Sequence, residues 1–192
     1  MPNWSFCTFR INGKKKHLRN FASILRKLEK RKTSPIPNGF GNLWWGNIVH
    51  LLGGDWENTP GCRGDICDWS YDSNSGILNI TSEFAWSERK ELRDFIEEHY
   101  NNEISISYYQ EEPGCEIYES NDLEGFGFKY LVDGEREPFP EYYNSLDDVA
   151  KAITKYTGFE TSGTVESIEE TIDLYESESD DWIGFHEFVY AE

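Results

Sequence analysis

A change of hydrophobic period within residues 77–112 is the feature that most constrains what this chain can fold into. Residues Leu78, Ile80, Ser82, Phe84 and Trp86 form a period-two row, which predicts a strand with one buried face. The period then becomes helical, with Leu92, Phe95, Ile96 and His99 at i, i+3, i+4 and i+7. It returns to two at Ile104, Ile106 and Tyr108. The stretch predicts a strand–helix–strand unit with Ser87 as the helix N-cap and His99 in the core.

The preceding residues extend this pattern to a whole domain. Residues 3–12 predict a strand, residues 17–31 a helix, and residues 65–71 a strand that pairs with residues 77–86 across a polar turn. The order strand, helix, strand, strand, helix, strand predicts an α+β fold, the ferredoxin-like βαββαβ sandwich, with an antiparallel sheet and helices on one face. We expect this domain over residues 1–122, with an acidic α+β extension packed on it over residues 123–192.

A segment rich in tryptophan, glycine and proline interrupts this domain at residues 33–62. A long irregular insert within a compact domain is typically functional or mobile. Its tryptophans would be costly to expose, so they either fill the core or form the floor of a ligand pocket. Both interpretations stay open, and the candidate binding aromatics of the chain are Trp44, Trp45, Trp69 and Trp86.

Charge is distributed unevenly along the chain. Residues 1–35 hold ten basic side chains and one acidic one, a net charge of +9, whereas the remainder holds 8 basic and 35 acidic side chains, a net charge of −27. A broad negative field repels nucleic acid and attracts a basic protein surface. The same distribution is also compatible with a role in solubility alone.

Catalytic and metal-binding motifs are missing from the sequence. We find no phosphate-binding loop, nucleophile elbow or zinc-peptidase motif, and the four cysteines and four histidines match no zinc spacing. We therefore expect no metal and no cofactor. The carboxylates that could bind a ligand or a cation are Asp65, Asp68, Glu111 and Glu112, and the cations that could neutralise a phosphate are Lys14, Lys16 and Arg19.

Four short motifs carry a resemblance to a known family. The opening MPNWSF, the segment from Gly64 to Trp69, the run Phe84-Ala85-Trp86-Ser87 and the run Glu111-Glu112-Pro113-Gly114 resemble, in that order, motifs of Api92-like proteins. The resemblance covers roughly residues 1–120 and implies a ferredoxin-like domain in a protein of a phage, plasmid or conjugative element. The family has no assigned reaction, and a lysine typical of its second motif is absent here.

Three functions follow from these observations. The first is a non-enzymatic protein whose acidic surface binds a basic host protein, one that handles nucleic acid or host defence, in the cytoplasm of a bacterial host. The second is a binder of a nucleotide signal, with tryptophans stacking the base and the basic residues holding phosphate. The third is an enzyme that uses Glu111 and Glu112 with a divalent ion. No apolar run approaches the length of a membrane span, so no membrane partner is expected.

Overall fold

The computed structural model describes residues 3–37, 39–59 and 61–192. The chain divides into two compact units: unit 1 is Met1–Asn121 together with Glu192, and unit 2 is Asp122–Ala191. Each unit contains both helices and strands, so the protein is a mixed α+β protein. Within the described part of the chain, no helix is both long enough and apolar enough to cross a membrane.

Unit 1 is built on an antiparallel sheet. Its elements are β1 (Trp4–Gly13), α1 (Lys15–Glu29), α2 (Trp45–Leu51), β2 (Gly64–Asp72), β3 (Ile77–Ala85), α3 (Lys90–His99), β4 (Ile104–Glu112) and β5 (Ile117–Ser120), with a 3₁₀ turn at Pro113–Cys115. The strands of this unit lie in the order β2-β3-β1-β4-β5. The predicted succession of strands and helices is observed up to β4, with the short α2 added. The predicted four-stranded sandwich is too small, because the sheet continues beyond β4.

One face of this sheet is buried under the three helices. Alternate residues of each strand point into one core with the apolar stripe of α1, as the strand period requires. The helix predicted over residues 17–31 is observed as α1, and its apolar stripe of Leu18, Phe21, Leu25 and Leu28 is fully buried. The other face of the sheet, here called the open face, carries the intervening residues. On it Trp4 and Phe6 leave 48% and 50% of their surface exposed.

The predicted ends of the central strand–helix–strand unit are shifted. Helix α3 begins at Lys90 after an Arg89 cap that makes no side-chain hydrogen bond, so Ser87 is not the N-cap. Glu88 instead accepts a 2.8 Å hydrogen bond from Arg93 Nε in a buried ion pair. A buried charge is tolerated when it is paired in this way. Arg93 thus lies on the buried side of α3, where apolar residues are usual.

Two residues assigned to the core from the sequence lie elsewhere. Trp86 follows the end of β3 with a φ of +78°, which turns the chain out of the strand, and its side chain is 48% exposed. His99 is exposed at the end of α3. The next residue, Tyr100, is buried instead and donates to Asn20 Oδ1 at 2.9 Å.

Unit 2 has its own sheet and core. Its elements are α4 (Leu123–Phe126), β6 (Tyr130–Gly134), β7 (Glu141–Tyr143), α5 (Leu146–Thr157), α6 (Val165–Glu178), β8 (Ile183–Glu187) and β9 (Val189–Tyr190). β6 lies between β7 and β8 and is antiparallel to both. Helix α5 is capped at both ends, because Ser145 accepts from the Asp148 amide and Gly158 ends the helix in the left-handed conformation. A small core between α5, α6 and this sheet holds the unit together.

Candidate binding site: an aromatic pocket and an acidic row

Two adjacent tryptophans of the insert point in different directions. Trp45 is the first residue of α2 and is buried in the core, where its Nε1–H donates to Ser82 Oγ at 2.7 Å. Ser82 in turn donates to the carbonyl oxygen of Asp65 at 2.7 Å. Trp44 still has extended backbone and bridges to Asp65 at the edge of β2. The insert therefore fills the core with one tryptophan and lines a pocket with the other.

The pocket has aromatic walls and a volume of about 520 Å³, within the range usual for small-ligand sites. Phe40 stacks on Trp44 with ring centroids 4.7 Å apart, and Trp56 meets Trp44 edge-on at 5.2 Å. Trp4 completes the wall from the first residue of β1. We call this site, defined by Trp4, Phe40, Trp44 and Trp56, the aromatic pocket. Its rim is open, since Trp4 and Phe40 are about half exposed.

The indole nitrogen of Trp44 is a buried donor without an acceptor among the described residues. Trp44 is only 3% exposed, and its Nε1–H finds no acceptor among residues 3–37, 39–59 and 61–192. The six-membered part of the ring lies over Gly46, where a β-carbon would come within 2.2 Å of it, so glycine is needed there. A buried donor without an acceptor costs about 1–3 kcal/mol. The wall of the pocket thus retains a donor that a carbonyl or other acceptor could satisfy.

Carboxylates form a row across the open face beside this pocket. The strand register places Asp65 of β2 opposite Glu83 of β3, Glu83 opposite Phe6 of β1, and Phe6 opposite Glu111 of β4. Directly opposed residues in antiparallel strands have their β-carbons about 4.5–5.5 Å apart. We call Asp65, Glu83 and Glu111 the acidic row. The half-exposed ring of Phe6 lies between two of its members.

Asp65 connects the acidic row to the aromatic pocket, because it also lines the pocket wall. Partial burial, and then the neighbouring charge of Glu83, raise the pKa of Asp65 above its ordinary value. Opposed like charges destabilise a sheet, yet neither carboxylate forms an ion pair with a cation in the described part of the chain. The pair is therefore an uncompensated negative charge at the mouth of an aromatic pocket.

Other polar groups modify the pocket. Arg63 and Glu57 both line it and are exposed. Cys62 is buried in the wall, where burial raises the pKa of its thiol to about 11, so the thiol is neutral at physiological pH. The described residues contain no group of three or more histidine, cysteine, aspartate or glutamate side chains placed to hold a metal ion.

The structure brings together only some of the candidate residues. Trp44 and Asp65 meet at the pocket, and Glu111 lies in the acidic row. Asp68 is exposed on β2, past a register irregularity that follows Ile66. Glu111 and Glu112 are consecutive in β4 and so point to opposite faces of the sheet, with Glu112 buried.

The remaining candidates are not among the residues that line the pocket. Trp45 is in the core, Trp86 is exposed beyond the end of β3, and Trp69 lies under Arg26, whose guanidinium carbon is 5.7 Å from the ring centroid. Lys14 and Lys16 lie beyond the far end of β1, roughly 30 Å along the strand from Trp4. The tryptophans and these cations therefore do not form one nucleotide site.

The cations at that far end serve a local contact. Lys14 and His17 form hydrogen bonds to Glu103, and Lys16 Nζ lies 3.5 Å from it. Hydrogen bonds, first from Lys14 and then from His17, lower the pKa of Glu103 to about 2. Arg19 is exposed on α1.

Several residues of the site were missed from the sequence. They are Trp4, Phe6, Phe40, Arg63 and Glu83. A signal for two of them was present: Trp4 and Phe6 are large apolar side chains on the same side of β1 as Thr8 and Arg10. Nothing local distinguishes Glu83 from the other acidic residues, since only the strand register places it beside Asp65.

Comparisons with known proteins add little to this geometry. No family model matches the chain, and no curated protein matches it. A crystal structure of an unknown protein from Galdieria sulphuraria aligns with 97% of this chain and 99% of its own, at 9% identity and a TM-score of 0.28.

Proposed function

We propose that the protein is a non-enzymatic binding protein and that the aromatic pocket and the acidic row of unit 1 together bind a basic segment of a protein partner. The observation that supports this most directly is the uncompensated Asp65–Glu83 pair beside half-exposed aromatic rings. A cation placed over an aromatic face gains attraction from the ring quadrupole. The opposed carboxylates of Asp65 and Glu83 add Coulomb attraction for that cation. Water screens this attraction less once the bound partner covers the site.

The setting of this function is part of the same proposal. We take the four strands β2-β3-β1-β4 with α1 and α3 as a ferredoxin-like core, to which α2 and β5 are additions. The resemblance to Api92-like proteins then suggests a protein of a phage or plasmid. Its partner would be a basic host protein that handles nucleic acid or defends the cell. The resemblance supports only this setting, and the charge pattern supports the class of partner.

The test of the binding mode is a titration of the full chain with a short synthetic peptide of alternating arginine and glycine. Binding is read by calorimetry and by tryptophan fluorescence. The double variant Asp65→Asn with Glu83→Gln should weaken binding by about tenfold, or ~1.4 kcal/mol. The control variant Glu91→Gln with Glu98→Gln removes the same charge from exposed positions on α3 and should change affinity little. If both double variants lose affinity for the peptide equally, net charge alone explains the binding, and the proposed site is overturned.

A nucleotide ligand is the second candidate, and Arg63 in the pocket wall is the observation that favours it. Aromatic walls stack a base, and a guanidinium pairs with phosphate. The variant Arg63→Ala distinguishes the two candidate ligands, because it should change their affinities in opposite directions. It should strengthen binding of the basic peptide, because a like charge is removed, and it would weaken binding of a nucleoside triphosphate. Arg19→Ala, on the exposed side of α1, is the matched control.

A further inference from the structure

Unit 1 holds two of its own arginines over aromatic rings. Arg93 lies over the ring of Tyr108, with the guanidinium carbon 4.4 Å from the ring centroid, while its Nε donates to Glu88 at 2.8 Å. Arg26 lies over Trp69 in the same manner at 5.7 Å. The Arg93 site thus combines a planar ring below the guanidinium with a carboxylate at its edge. This combination keeps a charged side chain stable even where it is almost fully buried.

The aromatic pocket contains the same components without the arginine. The faces of Trp4, Trp56 and Phe40 supply rings, and Asp65 with Glu83 supplies carboxylate oxygens at the edge. Neither carboxylate is paired with a cation in the described part of the chain. The buried Trp44 Nε1–H, which finds no acceptor there, is a donor for a backbone carbonyl. A peptide segment supplies both complements: a cationic side chain and free carbonyls.

Among basic side chains, the geometry fits arginine better than lysine. A guanidinium is planar, stacks on aromatic faces, and presents five N–H donors in a fixed fork that matches carboxylate oxygens. It also loses less hydration on burial than a compact ammonium does. A lysine would gain the same Coulomb attraction from Asp65 and Glu83 without the stacking or the bidentate hydrogen bonds.

We infer that the aromatic pocket selects an arginine side chain of the partner, stacked on its rings and paired with Asp65, with Trp44 Nε1–H donating to a carbonyl of the same segment. This inference rests on the proposed function, and it goes further because charge alone would not distinguish arginine from lysine. Arg63 also lines the pocket and carries a like charge, so it opposes an incoming guanidinium, and Arg63→Ala should strengthen binding of the arginine peptide.

The experiment compares two peptides of equal length and charge that differ only in carrying arginine or lysine at every basic position. The full-length protein is titrated with each by calorimetry at the same ionic strength. We expect the arginine peptide to bind about tenfold more tightly, since ring stacking and bidentate pairing favour it. Equal affinities would overturn the arginine inference and leave the proposed function standing. Binding of neither peptide would overturn both.

Two variants locate the selectivity. Trp56→Leu removes a ring and keeps an apolar side chain, so the preference for arginine should fall to about twofold or less while lysine-peptide binding changes little. Trp44→Phe keeps a ring and removes the donor, so both peptides should weaken by a similar factor. Circular dichroism and the thermal midpoint of each variant establish that it is folded before its affinity is compared. A preference that persists unchanged in Trp56→Leu contradicts the inference.

Discussion

At the residue scale, the two consecutive tryptophans of the insert show how position decides the role of a side chain. Trp45 is 1% exposed and its N–H has an acceptor, whereas Trp44 is 3% exposed and its N–H has none in the part of the chain that the structure describes. The difference arises because α2 begins between them: Trp44 retains extended backbone and Trp45 has helical backbone. Trp45 therefore stabilises the core, and Trp44 lines the pocket.

This contrast leads to a prediction for a matched pair of variants. Trp45→Phe loses a buried hydrogen bond and leaves a cavity, so unfolding should become easier by about 2–3 kcal/mol. Trp44→Phe leaves a comparable cavity but breaks no side-chain hydrogen bond among the described residues, so it should cost about 1 kcal/mol less than Trp45→Phe. Chemical denaturation of both variants measures the difference. A larger loss in Trp44→Phe would show that its N–H is satisfied in the free protein.

Glu103 makes the stability of unit 1 depend on pH. Its pKa is about 2 in the folded protein against an ordinary value of 4.5, because Lys14 and His17 hold the charged form. A depressed carboxyl pKa contributes stability that is fully present above the ordinary value and is lost as the pH falls from about 4.5 toward 2. The variant Glu103→Gln should show a smaller loss of stability over that pH range than the wild type. Denaturation at pH values of about 7, 4 and 2.5, one above this range and two within it, tests the expectation.

At the element scale, the helices of the two units are fixed at their ends by different means. The N-caps of α1 and α3, Lys14 and Arg89, make no side-chain cap hydrogen bond. Both helices are held by their buried faces instead. In unit 2, Ser145 and Thr164 cap α5 and α6 with their own hydroxyls. These local signals can be recognised in a sequence, whereas a helix held by tertiary packing has less distinct ends.

The cap of α5 can be tested by substitution. Ser145→Ala removes the acceptor for the Asp148 amide and should destabilise unit 2 by about 1 kcal/mol. Ser145→Asp retains an acceptor oxygen at the same place and should restore most of that loss. Urea denaturation monitored by circular dichroism compares the three proteins. If Ser145→Ala and Ser145→Asp are equally destabilised, the hydroxyl is not acting as a cap.

At the scale of the whole molecule, charge is divided between the two units. Residues 1–121 hold 17 acidic and 14 basic side chains, a net charge of −3. Residues 122–191 hold 18 acidic and four basic side chains, a net charge of −14. Helix α6 contributes six exposed carboxylates and no lysine or arginine. The basic residues that precede position 36 therefore nearly neutralise their own unit. Unit 2 carries most of the negative field that would attract a basic partner.

Salt should act in opposite directions on stability and on binding. Raising the ionic strength from about 0.01 M to about 0.15 M shortens the Debye length from about 30 Å to about 8 Å. Repulsion within unit 2 weakens, so the thermal midpoint should rise, while attraction for a basic peptide falls. A thermal midpoint that falls as salt is added would contradict this expectation.

The variant Asp173→Lys replaces one acidic side chain of α6 with a basic one. The lysine would pair with Glu169 at i, i+4 and should raise the free energy of unfolding by about 0.3–0.5 kcal/mol at low salt.

The sequence alone determined most of the secondary structure. Its alternating and helical periods located β1, β3, β4 and α1, because these patterns arise within a few consecutive residues. It also showed that the insert and its tryptophans were unusual. Errors occurred where tertiary contacts override the local pattern, as at Trp86, where a positive φ ends the row early.

Only the tertiary structure decided where the candidate binding site lies. Side chains alternate across a strand, so a shift of one residue in register would put Glu83 on the other face and separate it from Asp65. That register depends on contacts between segments distant in the chain, as does the meeting of Trp4 with Trp44 and Trp56. Local periodicity carries no information about which distant strands pair. The acidic residues could therefore be counted from the sequence, but which of them oppose each other could not.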